Sequence, residues 1–426
     1  MLSSSRDVQS LIDHLFRQEA GRMVAILTRL FGIHNLELAE DVLQDTMHQA
    51  LKDWSRGEIP DNPAGWLMVV AKRKAINTIK RERLFRSFAK DMDTMLKSEW
   101  TASYAMDHIF LEDEIMDSQL RMIFTCCHPA LPAEAQIALT LKTLCGFSIS
   151  EIGTALLATE SNINKRLYRA REKIRNEQID FTVPTGQHLM KRLDSVLLVI
   201  YLLFNEGYNA SGDQLTIRKD LCLEAMRLAR LLIGTPVTAG YSPIYALLAL
   251  MCFHVARFDA RIDNNNDLII LEDQDRKLWN KELITQGFEF LVQSATGNSA
   301  TTYHLEAAIA AEHCLAPGFS ETNWIKIHNY YSALEKLKPS SVIKLNLAII
   351  VGKRDGPEAA ILCLNELKKR KALENYYLLY ASLGEFYFEA GHTKEALENF
   401  RKAKTLVKSQ AILDLLERKI KKCLSS

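Results

Sequence analysis

The chain has 426 residues, of which 48% are hydrophobic and 25% charged, and its formal net charge is +1. This composition excludes a disordered chain, a collagen-like repeat and a small disulfide scaffold, and the length predicts two or three domains.

Cysteine use and the apolar runs restrict the chain further. The eight cysteines include no C-x-x-C pair, so we expect reduced thiols, no metal ion and no other cofactor. The N-terminus lacks the pattern of a signal peptide, and the apolar runs at 196–204 and 244–253 are shorter than the roughly 20 residues of a membrane span. We therefore expect a cytoplasmic protein with no membrane partner.

The hydrophobic pattern indicates helices from end to end. Apolar residues recur at spacings of three and four, and strict alternation is almost absent, which is typical of stacked amphipathic helices. The expected fold class is all-α, with two small helical domains followed by a helical C-terminal domain. Turn-rich and acidic stretches predict domains at 1–88, 116–178 and 188–426, joined by an acidic linker at 89–115 and a second linker at 179–187.

The helix expected over 38–54 is the first candidate binding surface. One of its faces carries carboxylates and an amide, which suits contact with a basic protein surface. The candidate residues are Glu40, Asp41, Gln44 and Asp45. The alternative is a surface helix that binds nothing.

The next helix, over 62–83, is strongly basic. Trp66, Leu67 and Val70 are expected to pack inward, while cations and amides face outward, where they can neutralise phosphates. The candidate nucleic-acid contacts are Asn62, Lys72, Arg73, Asn77, Lys80 and Arg81. Trp54 and Trp66 flank the preceding loop, and we interpret both as core anchors rather than base stackers.

A helix-turn-helix is predicted at 148–175. Ser148 and Glu151 form a capping box for its first helix, and Thr159 is the expected cap of the second. An apolar seam runs along that second helix. The face outside the seam carries amide, ammonium and guanidinium donors, which suit the DNA major groove. The candidate contacts are Asn162, Lys165, Arg166, Arg169 and Lys173. The alternative is an ordinary helical hairpin with a charged exterior.

No chemical site emerges from the remaining motifs. Cys126, Cys127 and His128 lack a second Cys/His pair at metal-binding spacing. Motifs such as GxSxG, the P-loop and HExxH do not occur. We expect a protein that is not an enzyme.

Near the C-terminus the spacing is that of a tetratricopeptide repeat, at about 377–410. Small residues and aromatics alternate there at positions that let paired helices approach closely: Tyr380, Leu383, Gly384, Tyr387, Gly391, Ala396, Phe400 and Ala403. A looser copy includes Ala348 and Ala360. Further polar motifs, including Tyr208, Gln274, Arg276 and Trp279, suit either a ligand groove or a buried structural network.

In this order of parts, residues 5–178 resemble the extracytoplasmic-function sigma factors of bacterial RNA polymerase. The resemblance is carried by LAEDVLQDTMHQALKDW (38–54), NPAGWLMVVAKRKAINTIKRER (62–83), 120–148 and the helix-turn-helix. It implies that the first stretch binds core RNA polymerase, the second reads the promoter minus-ten element and the helix-turn-helix reads the minus-thirty-five element. Core RNA polymerase and promoter DNA are then the expected partners.

The C-terminal half resembles a helical extension found in one subgroup of that family. The expected function is therefore an alternative sigma factor, with an extension that regulates it by an intramolecular contact or through a separate regulator. The alternatives are a free-standing helix-turn-helix repressor or activator with a helical sensor domain, and a helical scaffold.

Overall fold

The computed structural model describes residues 5–55, 59–82, 108–156, 158–208, 218–263, 268–296, 300–369, 373–407 and 409–425, with the side chains of 5–14, 17–18 and 80–82 outside the description. Within these ranges the chain forms eighteen α-helices and short 3-10 turns, and extended pairing is confined to one bridge between Ile262 and Leu268. The predicted all-α class is confirmed. The chain divides into two compact units, Met1–Leu203 and Phe204–Ser426.

The first unit begins with three helices that share a core. These helices are α1 (Ser5–Phe31), α2 (Leu36–Trp54) and α3 (Pro63–Glu82). Ile26 and Leu30 of α1 pack with Val42 of α2 and Ile79 of α3. Ile115, from the first turn of the next helix, α4 (Glu112–Cys126), joins the same cluster.

The predicted acidic linker at 89–115 is wrong at its C-terminal end. Residues 112–115 form the first turn of α4, and Ile115 is only 2% exposed. Glu112, Asp113 and Glu114 lie in that turn, where carboxylates favour the positive end of the helix dipole. The acidic residues at 112–114 therefore mark the start of a helix. Residues 89–107 of the predicted linker lie outside the described part of the chain.

The helix-turn-helix follows α4 and α5 (Ala133–Thr143), and consists of α6 (Ile149–Ala155) and α7 (Glu160–Asn176). The capping box is present, since Ser148 Oγ accepts from the Glu151 N–H and the Glu151 carboxylate accepts from the Ser148 N–H. Thr159 Oγ1 accepts from the Asn162 N–H at 3.3 Å. The predicted seam of α7 is buried along its length: Ile163, Leu167, Ala170 and Ile174.

The segment 179–187 packs along α4. Ile179 is 5% exposed, and the carbonyls of Asp180 and Phe181 accept from Thr125 and Arg121 of α4. The next helix, α8 (Gly186–Tyr208), contains the division between the two units. The compact first unit thus extends to Leu203, beyond the boundary predicted at 178.

The second unit is a succession of helices in which each packs on the next. They are α9 (Lys219–Ile233), α10 (Ser242–Val255), α11 (Lys281–Ser294), α12 (Thr302–Leu315), α13 (Trp324–Leu337), α14 (Ser341–Asp355), α15 (Pro357–Lys368), α16 (Tyr377–Glu389), α17 (Thr393–Leu406) and α18 (Gln410–Ser425). One described stretch, Ser242–Ala260, is long and apolar enough to cross a bilayer, but 78% of it is buried inside the protein, as in a core helix.

The residues predicted to form a tetratricopeptide-like repeat lie on α16 and α17. A Cβ atom on Gly384 would lie 2.7 Å from the Phe400 ring, so the glycine lets the two helices approach and the ring fills the gap. Gly352 of α14 faces the Phe386 ring in the same way. The α16–α17 hairpin and the contact between α14 and α16 therefore use the small-residue and aromatic pairing on which the repeat prediction was based.

Candidate nucleic-acid interface

The exposed face of α7 is a row of polar, cationic and aromatic side chains. Ser161, Asn164, Lys165, Tyr168 and Arg169 are all exposed and line an open, shallow depression. Tyr168 is 58% exposed, which is high for a tyrosine. A hydrogen bond with Glu172 raises the pKa of Tyr168, so the phenol stays protonated at neutral pH. This row offers hydrogen-bond donors, acceptors and an apolar ring to a groove.

The structure brings together only part of the predicted set on α7. Lys165 and Arg169 lie in the exposed row, and the Asn162 side chain is exposed beside it. Ser161, Asn164 and Tyr168 were missed because the prediction followed cations. Ser161 lies four residues before Lys165, Tyr168 three residues after it, and Asn164 four residues before Tyr168, and this spacing is the signal that places them on this face.

Arg166 and Lys173 already have intramolecular partners. Arg166 forms an ion pair of 2.7 Å with Glu134 of α5, and its side chain is 22% exposed. Lys173 lies 3.4 Å from Glu177 on its own helix. Arg166 therefore supports the packing of α7 on α5 in this structure.

A further arginine of α7, Arg171, reaches back to α2. Its guanidinium lies 2.7 Å from a Glu40 carboxylate oxygen and 3.8 Å from Glu37. The side chains of Arg171 and Glu40 are 17% and 13% exposed. Burial raises the pKa of Glu40 and outweighs the opposite effect of Arg171. Glu40 thus differs from the other candidates on α2.

The rest of the predicted face of α2 is open. Asp41, Gln44 and Asp45 are exposed. The opposite side of the helix is buried through Val42, Leu43, Thr46 and Met47. The structure therefore places three of the four candidates on one accessible acidic surface.

On α3 the exposed row contains Arg73 and Asn77, together with Val69, which is 48% exposed. Lys72 is half-buried. Asn62 caps the helix, because its Oδ1 accepts from the Gly65 N–H at 2.9 Å. The side chains of Lys80 and Arg81 lie outside the described residues.

The two tryptophans at the start of α3 lie against each other. Trp54 is 3% exposed and its ring centroid is 5.3 Å from that of Trp66, which is half-buried. This packing agrees with the interpretation of Trp54 as a core anchor.

The cysteine pair of α4 is embedded in the core. Cys126 Sγ lies 3.1 Å from Thr143 Oγ1, and Cys127 Sγ lies 3.9 Å from Thr140 Oγ1. Burial raises the pKa of both thiols, that of Cys127 to about 12. Both sulfurs are therefore uncharged and packed against hydroxyl groups.

Three sequence families match successive parts of the chain. Sigma-70 region 2 matches residues 15–85, and sigma-70 region 4 matches residues 121–174. A family of unknown function (DUF6596) matches residues 192–295. The first two matches cover α2, α3 and the helix-turn-helix.

Several curated proteins are similar over one or both units. An uncharacterized protein of Rhizobium meliloti is 35% identical over 373 residues, which cover 87% of this chain and 86% of that protein. The probable ECF RNA polymerase sigma factor SigI of Mycobacterium tuberculosis is 26% identical over 41% of this chain and 57% of its own length. The RNA polymerase sigma factor CarQ of Myxococcus xanthus is 28% identical over 39% of this chain and 88% of its own length.

A free-standing helix-turn-helix regulator would need no counterpart of sigma-70 region 2, whereas this chain matches both regions in order. The alignment with the Rhizobium protein is longer than the 203 residues of the first unit, so the similarity continues into the C-terminal extension. The chain belongs to the extracytoplasmic-function group of the sigma-70 family, and it is an alternative sigma factor that directs transcription initiation and carries a helical C-terminal extension.

Proposed function

We propose that three surfaces of the first unit divide the work of initiation. The exposed acidic face of α2 binds core RNA polymerase, the row of Arg73 and Asn77 on α3 contacts the minus-ten region, and the exposed row of α7 reads the minus-thirty-five element. The observation that carries this assignment is the outward row of α7, which combines two cations with Asn164 and Tyr168. Its opposite side is a buried apolar seam.

Within that row, Arg169 is suited to bidentate recognition of a guanine and Tyr168 to apolar contact with a thymine methyl group. Arg166 has a smaller role, because binding DNA requires it to leave Glu134. The order of importance on α7 is therefore Arg169 before Arg166.

Promoter binding by single variants tests this order. Arg169→Ala is expected to cost about 1 to 3 kcal/mol in promoter affinity and to relax discrimination at one base pair. Arg166→Ala is expected to cost less, and Arg401→Ala, an exposed arginine of the second unit, serves as the matched control. Equal affinities for wild type and Arg169→Ala would refute the assignment of α7.

The polymerase surface is tested by reversing charge on α2. Asp41→Lys combined with Asp45→Lys replaces two exposed carboxylates one helical turn apart, so binding to core polymerase is expected to fall below detection while the circular dichroism spectrum is unchanged. Glu395→Lys with Glu398→Lys makes the same change in charge on α17 and is the control. Wild-type affinity in the α2 double variant contradicts the proposal.

We also propose that the C-terminal extension regulates the first unit or its polymerase complex. The proposal is supported by the covalent link between the extension and the first unit. A tether keeps even a weakly binding partner at a high effective concentration, about the millimolar range for a short connection. Helical hairpins of the second unit offer the kind of surface on which extended or helical segments bind.

Cleavage within 209–217 tests this role, and it leaves residues 204–208 of the second unit on the first fragment. A protease site inserted within 209–217, after the end of α8, lets the full-length protein fold before it is cut. After cleavage and separation by size exclusion, the rate of promoter-specific run-off transcription is expected to differ from that of the intact protein. Identical rates for the separated first fragment and the intact chain would exclude a regulatory extension.

A further inference from the structure

Three arginines in the connection between α10 and α11 lie near one another, and two of them lie over a buried tryptophan. We call Arg257, Arg261 and Arg276 the arginine cluster. The guanidinium carbons of Arg257 and Arg276 lie 5.3 and 4.8 Å from the ring centroid of Trp279. That of Arg261 lies 3.8 Å from the ring centroid of Tyr208.

The arginine cluster is held by neutral acceptors. Arg257 Nε donates to Gln274 Oε1 at 3.1 Å, and Arg261 Nη1 donates to the Tyr208 carbonyl at 3.0 Å. Arg276 Nη1 donates to two backbone carbonyls near the end of α12, those of His313 and Ala316. These bonds fix the positions of the guanidinium groups, and Glu321 acts on Arg276 electrostatically without an ion pair between them in the described part of the chain.

Two acids in the neighbouring sequence, Glu272 and Asp275, have other partners. Glu272 lies 3.4 Å from Lys353 Nζ, and the Asp275 carboxylate accepts from the Lys277 N–H at 2.9 Å. Across the described residues, no member of the arginine cluster forms an ion pair with an acidic side chain.

The thiol and the two imidazoles beside the arginine cluster do not supply a negative charge. Burial raises the pKa of the Cys314 thiol to about 12 although Arg257 and Arg276 act in the opposite direction. Burial, reinforced by Arg257, lowers the pKa of His254 to about 3 and that of His313 to about 4. At neutral pH the thiol and both imidazoles are therefore uncharged.

Several buried polar atoms near the arginine cluster lack a hydrogen-bond partner. In the described part of the second unit, five buried side-chain nitrogen or oxygen atoms have no hydrogen-bond partner, and four of them belong to Arg276 or to residues beside the arginine cluster: His254 Nδ1, Arg276 Nη2, Trp279 Nε1 and His313 Nδ1. Buried polar groups in folded proteins nearly always have a partner. Their concentration beside three cations indicates that an acceptor is missing.

We propose that the arginine cluster binds the phosphate or carboxylate group of a small molecule. As whole residues the three arginines are partly exposed, although Arg276 Nη2 is itself buried. Guanidinium forks match the planar or tetrahedral oxygens of these groups with charge-assisted hydrogen bonds. The indole of Trp279, 4% exposed, forms an apolar wall beside the anion.

The test uses the full-length protein and two probes, inorganic phosphate and citrate, each titrated at constant ionic strength against chloride. Binding is followed by calorimetry and by the indole ¹H–¹⁵N resonances of tryptophan-labelled protein, with Trp279→Phe used to assign the Trp279 signal. Because Arg257 and Arg276 lie over that ring, an occupied site is expected to shift the Trp279 resonance in a saturable manner. Trp54 in the first unit, whose Nε1 is also buried without a partner, is the internal control.

Variants connect the signal to the cluster. Arg257→Gln is expected to weaken binding by about tenfold or more, since a charge-assisted bond is lost, while Arg257→Lys, which keeps the charge, retains part of it. Arg230→Gln is the matched control, because Arg230 also donates to a glutamine, Gln286 at 3.0 Å, outside the cluster.

A response to phosphate alone identifies a phosphate-bearing ligand, and a response to citrate alone identifies a carboxylate. No saturable response to either probe overturns the proposal. Equal binding by wild type and both Arg257 variants overturns it as well, since the anion would then lie elsewhere.

Discussion

In the first unit, ion pairs join helices that are remote in the chain, in addition to the apolar cluster that Ile26 and Ile115 share, whereas in the second unit glycines placed against aromatic rings let helices approach closely. Arg22 lies 2.5 Å from Glu112, Arg29 lies 2.5 Å from Glu114, and Arg171 lies 2.7 Å from Glu40. The corresponding contacts of the second unit are Gly287 with Phe253, Gly352 with Phe386 and Gly384 with Phe400.

The two kinds of contact differ in how easily they are exchanged. A partly exposed ion pair contributes up to about 1 kcal/mol, so its exchange for another charged surface, such as DNA or a protein, costs little. A ring packed on a glycine has no substitute in water. The unit that binds polymerase and promoter thus adds exchangeable ion pairs to its apolar core, and it also has a close glycine contact at Gly21, where a Cβ would lie 2.1 Å from the Leu144 carbonyl oxygen.

The largest expected effect is a difference between the two units in how their stability responds to acid. The pKa of His254 falls to about 3 in the folded protein, so His254 takes up a proton at a higher pH in the unfolded chain than in the folded one. The second unit therefore loses stability as pH falls below about 6.5. The loss reaches about 3 kcal/mol at pH 4 at most. In the first unit, the raised pKa of Glu40 acts in the opposite direction, because its contribution is present below about 4.5 and is lost as pH rises.

Hydrogen exchange read by mass spectrometry between pH 4 and 7, with rates corrected for the intrinsic effect of pH, measures this difference unit by unit. His254→Gln, which cannot be protonated in this range, is expected to flatten the pH dependence of the second unit. An unchanged slope in that variant would remove His254 as the cause.

The next largest loss of stability is expected from a side chain introduced at a tightly packed glycine. Gly384→Ala places a methyl group 2.7 Å from the buried Phe400 ring and is expected to destabilise the second unit by about 1 to 3 kcal/mol. Gly240→Ala is the control, since nothing lies within 4 Å of its Cβ position. Urea unfolding gives both values, and equal stabilities would show that the α16–α17 contact adapts freely.

Removing the Arg171 side chain tests the most buried ion pair of the first unit. Arg171→Ala leaves Glu40 without its counter-ion and is expected to cost about 1 to 2 kcal/mol. Adding Glu40→Gln to the same protein should restore most of the loss, because the uncompensated charge is removed. A double variant no more stable than Arg171→Ala would indicate that packing, not charge, holds α7 on α2.

The smallest effect is expected at Glu112, the exposed partner of Arg22. Its side chain is 66% exposed, and Arg22 also pairs with Glu19 at 3.4 Å, so Glu112→Ala should cost less than about 1 kcal/mol, and the cost should shrink further in high salt. Urea unfolding at low and high salt measures it. A salt-independent loss would mean that the aliphatic part of Glu112 contributes by packing.

Local rules predicted the helices, the helix-turn-helix caps and the buried seam of α7 from sequence, because each depends on residues only three or four positions apart. The glycine and aromatic spacing of α16 and α17 was predicted for the same reason. The first turn of α4 was misassigned, because acidic residues are typical both of linkers and of helix starts.

Tertiary structure decided which charged side chains of α7 face solvent. Periodicity places Arg166, Arg169 and Arg171 outside the apolar seam, but Glu40, the partner of Arg171, is 131 residues away in the chain. The arginine cluster was equally beyond reach, because it is assembled from a loop and the ends of three helices, α8, α10 and α12, that follow no common period. The sequence by itself determined where helices form and which side of each is apolar, since both are local properties of the chain. Only the tertiary structure decided which charges are paired and which remain available for DNA or an anion, because pairing depends on distances between helices that are remote in sequence.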